Sequence, residues 1–225
     1  NDCILGCTDP LADNYDPGAN AHDGELCQDS PVNTEDFSYL GEFNGHQYYI
    51  SYDSPTWEEG KVLAESNNGY LAAITSEEEN SFLSNLLVEN SIDWVKIGLF
   101  QNLESEDYLE PNQGWEWVTG EVFDYQNWNP GEPNNVNGGE HYGILYSTGF
   151  WNDGVNITDE LLLLELELGC ADENACNYNS NAYDDGSCEY ALENFDCEGN
   201  CIVDIDCAGD CAGDALEDEC GVCNG

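Results

Sequence analysis

The stretch Asn127-Trp128-Asn129-Pro130-Gly131-Glu132-Pro133-Asn134, followed by Glu140 and then by Trp151-Asn152-Asp153, decides how this chain is read. It is turn-forming sequence that carries oxygen-bearing side chains at Glu132, Asn134, Glu140, Asn152 and Asp153. Hard cations such as calcium take roughly six to eight oxygens, drawn from carboxylates, amide carbonyls and backbone carbonyls. Three of these side chains are carboxylates, so a divalent ion bound among them would leave about one negative charge uncompensated. The plain alternative is an acidic surface loop rich in Gly, Pro and Asn that holds nothing.

In order and spacing, Glu132-Pro133-Asn134, Glu140 and Trp151-Asn152-Asp153 resemble the calcium and sugar site of C-type lectins. The Glu-Pro-Asn version is similar to the branch that binds mannose, glucose and fucose rather than galactose. The resemblance implies a Ca2+ ion held by Glu132, Asn134, Glu140, Asn152 and Asp153, with the Asp153 carbonyl as a further oxygen. It implies that the same side chains bind carbohydrate, with Val136 in apolar contact with the sugar ring. An Asn can turn its carbonyl to the ion and its amide NH2 to a ligand, while a carboxylate accepts from a hydroxyl. Two vicinal sugar hydroxyls would then fill the open coordination positions. The Glu132–Pro133 bond is expected to be cis, a form largely confined to X–Pro bonds.

Outward from this loop, residues 41–168 read as one α+β domain with the element order of the C-type lectin fold. Phe43 and Tyr48-Tyr49-Ile50 suggest a first strand. Thr56-Trp57-Glu58-Glu59 and Ser76-Glu77-Glu78-Glu79 are capping-box patterns opening two helices, the first closed by Asn67-Asn68-Gly69. Phe82, Leu83, Leu86 and Leu87 share a face of the second helix. Strands are expected at Tyr70–Ile74, at Trp94–Leu99, at Trp115–Thr119, at His141–Tyr146 and at Leu161–Leu168, with a long loop between Gly120 and Gly139. The family's conserved disulfides are missing, because the domain has no cysteine. The six tryptophans are therefore read as packing anchors. The auxiliary calcium site of many family members needs acids near Asn135 and His141, where this chain has an amide and an imidazole. One ion is expected, unless Glu104, Glu106 and Asp107 supply a second.

Small disulfide-rich irregular modules are expected to flank the domain. Residues 1–28 form a Cys/Asp-rich repeat with a second copy at 169–190, and 29–40 are a polar linker. The two copies resemble a short repeat of large secreted proteins from marine bacteria and some viruses. From 191 to 225 the chain is a ladder of cysteine loops, expected to continue further. Cysteine pairs at such spacing suit zinc or disulfides; the absence of histidine there favours disulfides. The N-terminal cluster has three cysteines and the C-terminal nine, both odd. Either one bond joins the clusters or each has a partner outside this chain.

The chain of 225 residues carries two basic residues against 48 acidic ones, a formal charge of −46. Such a charge repels phosphate, which argues against nucleic acid and anionic membranes as partners. It suits a calcium-loaded surface protein, adaptation to high salinity, or both. Twelve cysteines point to an oxidising, extracellular compartment, and no apolar run approaches the ~18 residues of a membrane span. Residue 1 is Asn, so a processed product or a piece of a longer protein is expected. Catalysis by paired carboxylates is conceivable at Glu132, Glu140 and Asp153, but all three are better used as metal ligands. The expected function is calcium-dependent binding of glycans with vicinal hydroxyls. The alternative is a structural subunit of a filament, sheath or stalk that assembles with copies of itself. Asn156-Ile157-Thr158 is the sole N-glycosylation sequon.

Overall fold

The computed structural model describes residues 32–223 and the backbone of two short strands, Leu5–Gly6 (β1) and Ala21–His22 (β2), which pair in parallel. The remainder of the N-terminal Cys/Asp-rich module, including all three of its cysteines, lies outside the described residues. Two compact units are present, the first ending at Leu166 and the second starting at Glu167.

The first unit begins its sheet with a hairpin, Phe37–Phe43 (β3) and His46–Ser51 (β4). The single strand expected here is two, because Asn44-Gly45, at positive φ angles of 51° and 84°, makes the tight turn that joins twisted strands. Helix α1 (Trp57–Ser66) opens with the expected capping box: Thr56 accepts from the Glu59 N–H, and Glu59 accepts from the Thr56 N–H. Asn68, at φ 62°, reverses the chain at its end. Helix α2 (Glu77–Glu89) departs from the expected device. Ser76 does accept from the Glu79 N–H, but the Glu79 carboxylate accepts from the Thr75 N–H at 2.9 Å and the Tyr48 hydroxyl at 2.7 Å. The β4 strand packs a buried tyrosine against the helix start and takes the carboxylate for itself.

The remaining strands are Tyr70–Leu71 (β5), Trp94–Gln101 (β6), Trp115–Trp117 (β7), Tyr142–Tyr146 (β8), Trp151–Gly154 (β9), Leu161–Gly169 (β10) and Tyr183–Asp184 (β11). The main path through the sheet is β3-β4-β10-β6-β8-β9. Leu161 and Leu162 of β10 pair in parallel with Val95 and Lys96 of β6, whereas β6 runs antiparallel to β7 and β8. Gly98 in mid-β6 is required by the close approach of β5: a Cβ there would lie 2.2 Å from the Leu71 carbonyl oxygen.

With no cysteine to staple it, the domain is held by apolar packing. Ile74, Leu83, Leu87, Ile97, Leu99, Leu145 and Leu163 are essentially inaccessible. Trp151, fully buried, collects the edges of Trp117, Tyr125 and Trp128 at centroid separations of 5.6–5.9 Å. Its indole N–H donates to the Asn80 side chain at 2.7 Å. The reading of all six tryptophans as core needs one correction. Trp94, at the start of β6, leaves 45% of its surface exposed and packs edge to face on Tyr146 of the neighbouring strand.

The second unit is stapled by Cys170–Cys188, Cys176–Cys197, Cys201–Cys211 and Cys207–Cys223, and Cys220 is free and exposed. Between 195 and 223 one loop occurs three times. Asp196, Asp206 and Asp218 each accept from the backbone N–H groups two and four residues ahead. Cys201–Cys211 and Cys207–Cys223 run between successive loops, not within them, a connectivity that spacing leaves open.

Candidate functional site

The Trp151–Gly154 strand, which the sequence reading treated as part of a turn, organises the site. Pairing with β8 sets Asn152 opposite Ile144 and Asp153 opposite Gly143. Asp153 is fully buried. Its carboxylate accepts from the Asn134 N–H at 3.0 and 3.1 Å and from the Asn135 N–H at 2.7 Å. The Glu132-Pro133-Asn134 segment is thereby tied over the strand, and the Glu132–Pro133 bond is cis.

The rest of the loop is folded on itself. Asn135, at φ 47°, turns its side-chain carbonyl inward, where it accepts from the N–H groups of Gly139 at 2.7 Å and Glu140 at 3.1 Å. The Val136 N–H donates both to the Asn134 side-chain oxygen at 2.9 Å and to the Glu140 carboxylate. Asn152 donates its amide N–H to the Asp153 carbonyl. Val136 stands on the rim, about half-exposed. These bonds link Glu140, Asn134, Val136, Asp153 and Asn152, and the field of Glu140 and Asp153 reaches Glu132.

The electrostatics of the cluster are those of like charges in a partly dry place. Burial, the Asp153 carboxylate and then Glu140 push the Glu132 carboxyl up, and the Asn134 amide opposes them. Glu140 is raised first by burial; the Val136 N–H opposes this and Asp153 adds to it. One oxygen of Glu132, Oε2, is buried with no hydrogen-bond partner. Buried acceptors without partners are uncommon and costly. An all-oxygen donor set with an orphaned carboxylate oxygen fits a hard cation. Among the described residues no three His, Cys, Asp or Glu side chains form a metal-binding group by themselves. A cation held here would draw on the amides of Asn134 and Asn152 as well, and an all-oxygen set of that kind suits calcium and not zinc.

Sequence reasoning missed two supporting roles. Asn135 is spent on the loop's own backbone. His141 is held by Gln101 at 2.9 Å, with Glu110 at 3.6 Å, and so braces the loop from behind. Asn156, the sequon asparagine, accepts at Oδ1 from the Trp57 N–H at 2.7 Å and donates from Nδ2 to Glu58, so a glycan on Nδ2 would compete with the Glu58 contact.

Residues 53–162 match the family model of the C-type lectin domain. Lithostathine of Rattus norvegicus is 30% identical over 116 residues, which cover 49% of this chain and 66% of that protein. C-type lectin domain family 10 member A of Mus musculus is 32% identical over 121 residues, 51% of this chain and 36% of that protein. The chain therefore spans less than two thirds of these relatives. Among solved structures, human lithostathine superposes with a TM-score of 0.50 at 24% identity, covering 67% of this chain and 99% of that one.

Proposed function

We infer that the C-type lectin domain of this chain is a calcium-dependent glycan-binding module. Glu132, Asn134, Glu140, Asn152 and Asp153 would hold the ion, which when bound offers coordination positions to two vicinal hydroxyls of a mannose-, glucose- or fucose-type sugar. The observation that carries this reading is the partnerless Glu132 oxygen beside two other carboxylates that repel it. Around the ion the chain's own groups set the selectivity: carboxylates accept from sugar hydroxyls, amide N–H groups donate to them, and Val136 meets the ring. Catalysis is not part of the proposal, because the three carboxylates are committed as ligands.

A site this shallow gives affinities on the order of millimolar, so useful binding needs many copies. The four disulfides of the second unit fit an extracellular setting. No helix among the described residues is long and apolar enough to cross a membrane. Retention on mannose-agarose tests the proposal. Retention with calcium and release by EDTA are expected, together with loss in Glu132→Ala. Tight mannose binding that persists in EDTA would refute it. A second reading rests on the three Asp-capped loops of 195–223, bonded in series as the repeats of a stalk or filament would be. Electron microscopy with and without calcium distinguishes it: ordered assembly without sugar retention leaves only the architectural role.

A further inference from the structure

We propose that the pocket of the second unit, lined by the Cys176–Cys197 bridge and the turn at 190–195, is a docking site for an arginine in a basic and apolar segment of a partner protein. The inference stands apart from the glycan-binding reading, because every residue it uses lies in the second unit. The pocket has a volume of about 350 Å3. Sites for small ligands run from ~300 Å3 upward, so this one suits a long side chain and one apolar neighbour.

Covalent and polar ties fix its walls. The bridge joins Cys176 to Cys197, 21 residues further on. The Cys176 N–H donates to the Glu189 carbonyl at 2.6 Å, and the Glu189 N–H donates to the Asn177 side chain at 2.8 Å. The Tyr190 hydroxyl donates to Asp172 at 2.7 Å, which orients its ring. The Phe195 N–H closes the turn on the Leu192 carbonyl at 2.9 Å. Tyr190, Leu192 and Phe195 supply the apolar lining, and Glu189 and Asp196 the charge. The Asn200 amide, with the backbone N–H groups of Asn200, Glu198 and Gly199, holds the Asp196 carboxyl below its ordinary value, so it stays anionic.

Exposed apolar residues taken singly need no explanation. Tyr190 and Leu192, 57% and 76% exposed, instead share one concave site with a half-buried phenylalanine and two carboxylates. Residues 167–225 hold sixteen Asp and Glu and no Lys, Arg or His, so an anionic occupant is repelled. A purely apolar occupant would strip water from the carboxylates and return nothing. An arginine meets both demands. Its stem lies along Leu192 and Phe195, and its guanidinium stacks on the Tyr190 ring and donates to Glu189 and Asp196. A second copy of this chain does not supply that group: it has no Arg, Lys96 is buried against Glu160, and Lys61 is paired with Glu65. The partner is a different protein, with basic residues set beside apolar ones.

Calorimetric titration of the whole chain in about 0.15 M salt tests this, since charges more than ~8 Å apart are largely screened there. The probes are peptides of about ten residues that alternate Arg with Leu, Arg with Ser, or Glu with Leu. The Arg-Leu peptide should bind about tenfold more tightly than the charge-matched Arg-Ser peptide, the lower end for burying one leucine. The Glu-Leu peptide should give no heat of binding. The tenfold preference should fall to about twofold or less in Leu192→Ser. It should be kept in Leu216→Ser, which alters an equally exposed leucine outside the pocket. In the unaltered chain, NMR amide shifts at 189–199 should move as the Arg-Leu peptide is added. Equal binding of the two arginine peptides, binding of the Glu-Leu peptide, a preference that survives Leu192→Ser, or unmoved amides at 189–199 overturns the site. Failure of the chain to bind mannose-agarose bears on none of these results.

Discussion

Glu165, in the centre of β10, should make this domain lose stability between pH 4.5 and 7. It is 2% exposed, accepts from the Ala73 N–H at 2.9 Å and the Tyr70 hydroxyl at 3.1 Å, and lies 2.6 Å from His46. Burial pushes its carboxyl up to about 7; Glu79 adds to this, and His46 and the Ala73 N–H oppose it. The folded state therefore holds a proton that the unfolded chain releases near 4.5. Between those values the unfolded state binds fewer protons than the folded state, so stability falls as pH rises. The contribution is fully present below 4.5 and gone above about 7. At about 1.4 kcal/mol per pH unit, the interval amounts to about 3 kcal/mol. Glu165→Gln keeps an acceptor for Ala73 and removes the titration. Urea unfolding read by tryptophan fluorescence, at steps from pH 4.5 to 8, checks this, since all six tryptophans lie between 57 and 151. Relative to the unaltered chain, Glu165→Gln should gain about 3 kcal/mol from pH 4.5 to 7 and nothing beyond. A difference that stays constant with pH, or turns against the variant, refutes the reasoning.

Other perturbations test the same packing. Lys96→Met should cost about 3–5 kcal/mol in thermal or urea unfolding at pH 7, because the Glu160 carboxyl would lose its buried cation and the Pro55 and Glu160 carbonyls their donor. Gly98→Ala should cost more than about 2 kcal/mol, since the new methyl meets backbone and not a movable side chain; unchanged melting would show that β5 can slide. Asn80→Ala removes the acceptor of the Trp151 indole and the donor to the Gly149 carbonyl, at a cost of about 1–3 kcal/mol in unfolding. Thiol labelling of the native chain followed by peptide mapping should find Cys220 alone reactive among residues 170–223.

Much of the fold was legible in sequence because local chemistry spoke for it. Thr56 with Glu59 opened α1 as the pattern required, and Leu83 and Leu87 at helical spacing did turn to the core. The Glu-Pro-Asn and Trp-Asn-Asp motifs marked the candidate site before any geometry was known. Other features belonged to distant partners. Glu79 left its capping role because Tyr48, 31 residues away, offered a buried hydroxyl. Asn152 and Asp153 read as turn residues, since no short window shows that β8 will pair with them. The cysteine pairing was closed to sequence for the same reason: spacing left it open, and folding joined one loop to the next.

Sequence by itself determined which oxygens are available, that the domain must hold without disulfides, and that its charge refuses anions, because these follow from residue type alone. The tertiary structure decided that Asp153 is fully buried under the loop and tied to it, that one oxygen of Glu132 is left without a partner, and that Trp94 faces outward beside them. Burial, pairing and orientation depend on which strands meet, and strand register is set by contacts between residues far apart in the chain.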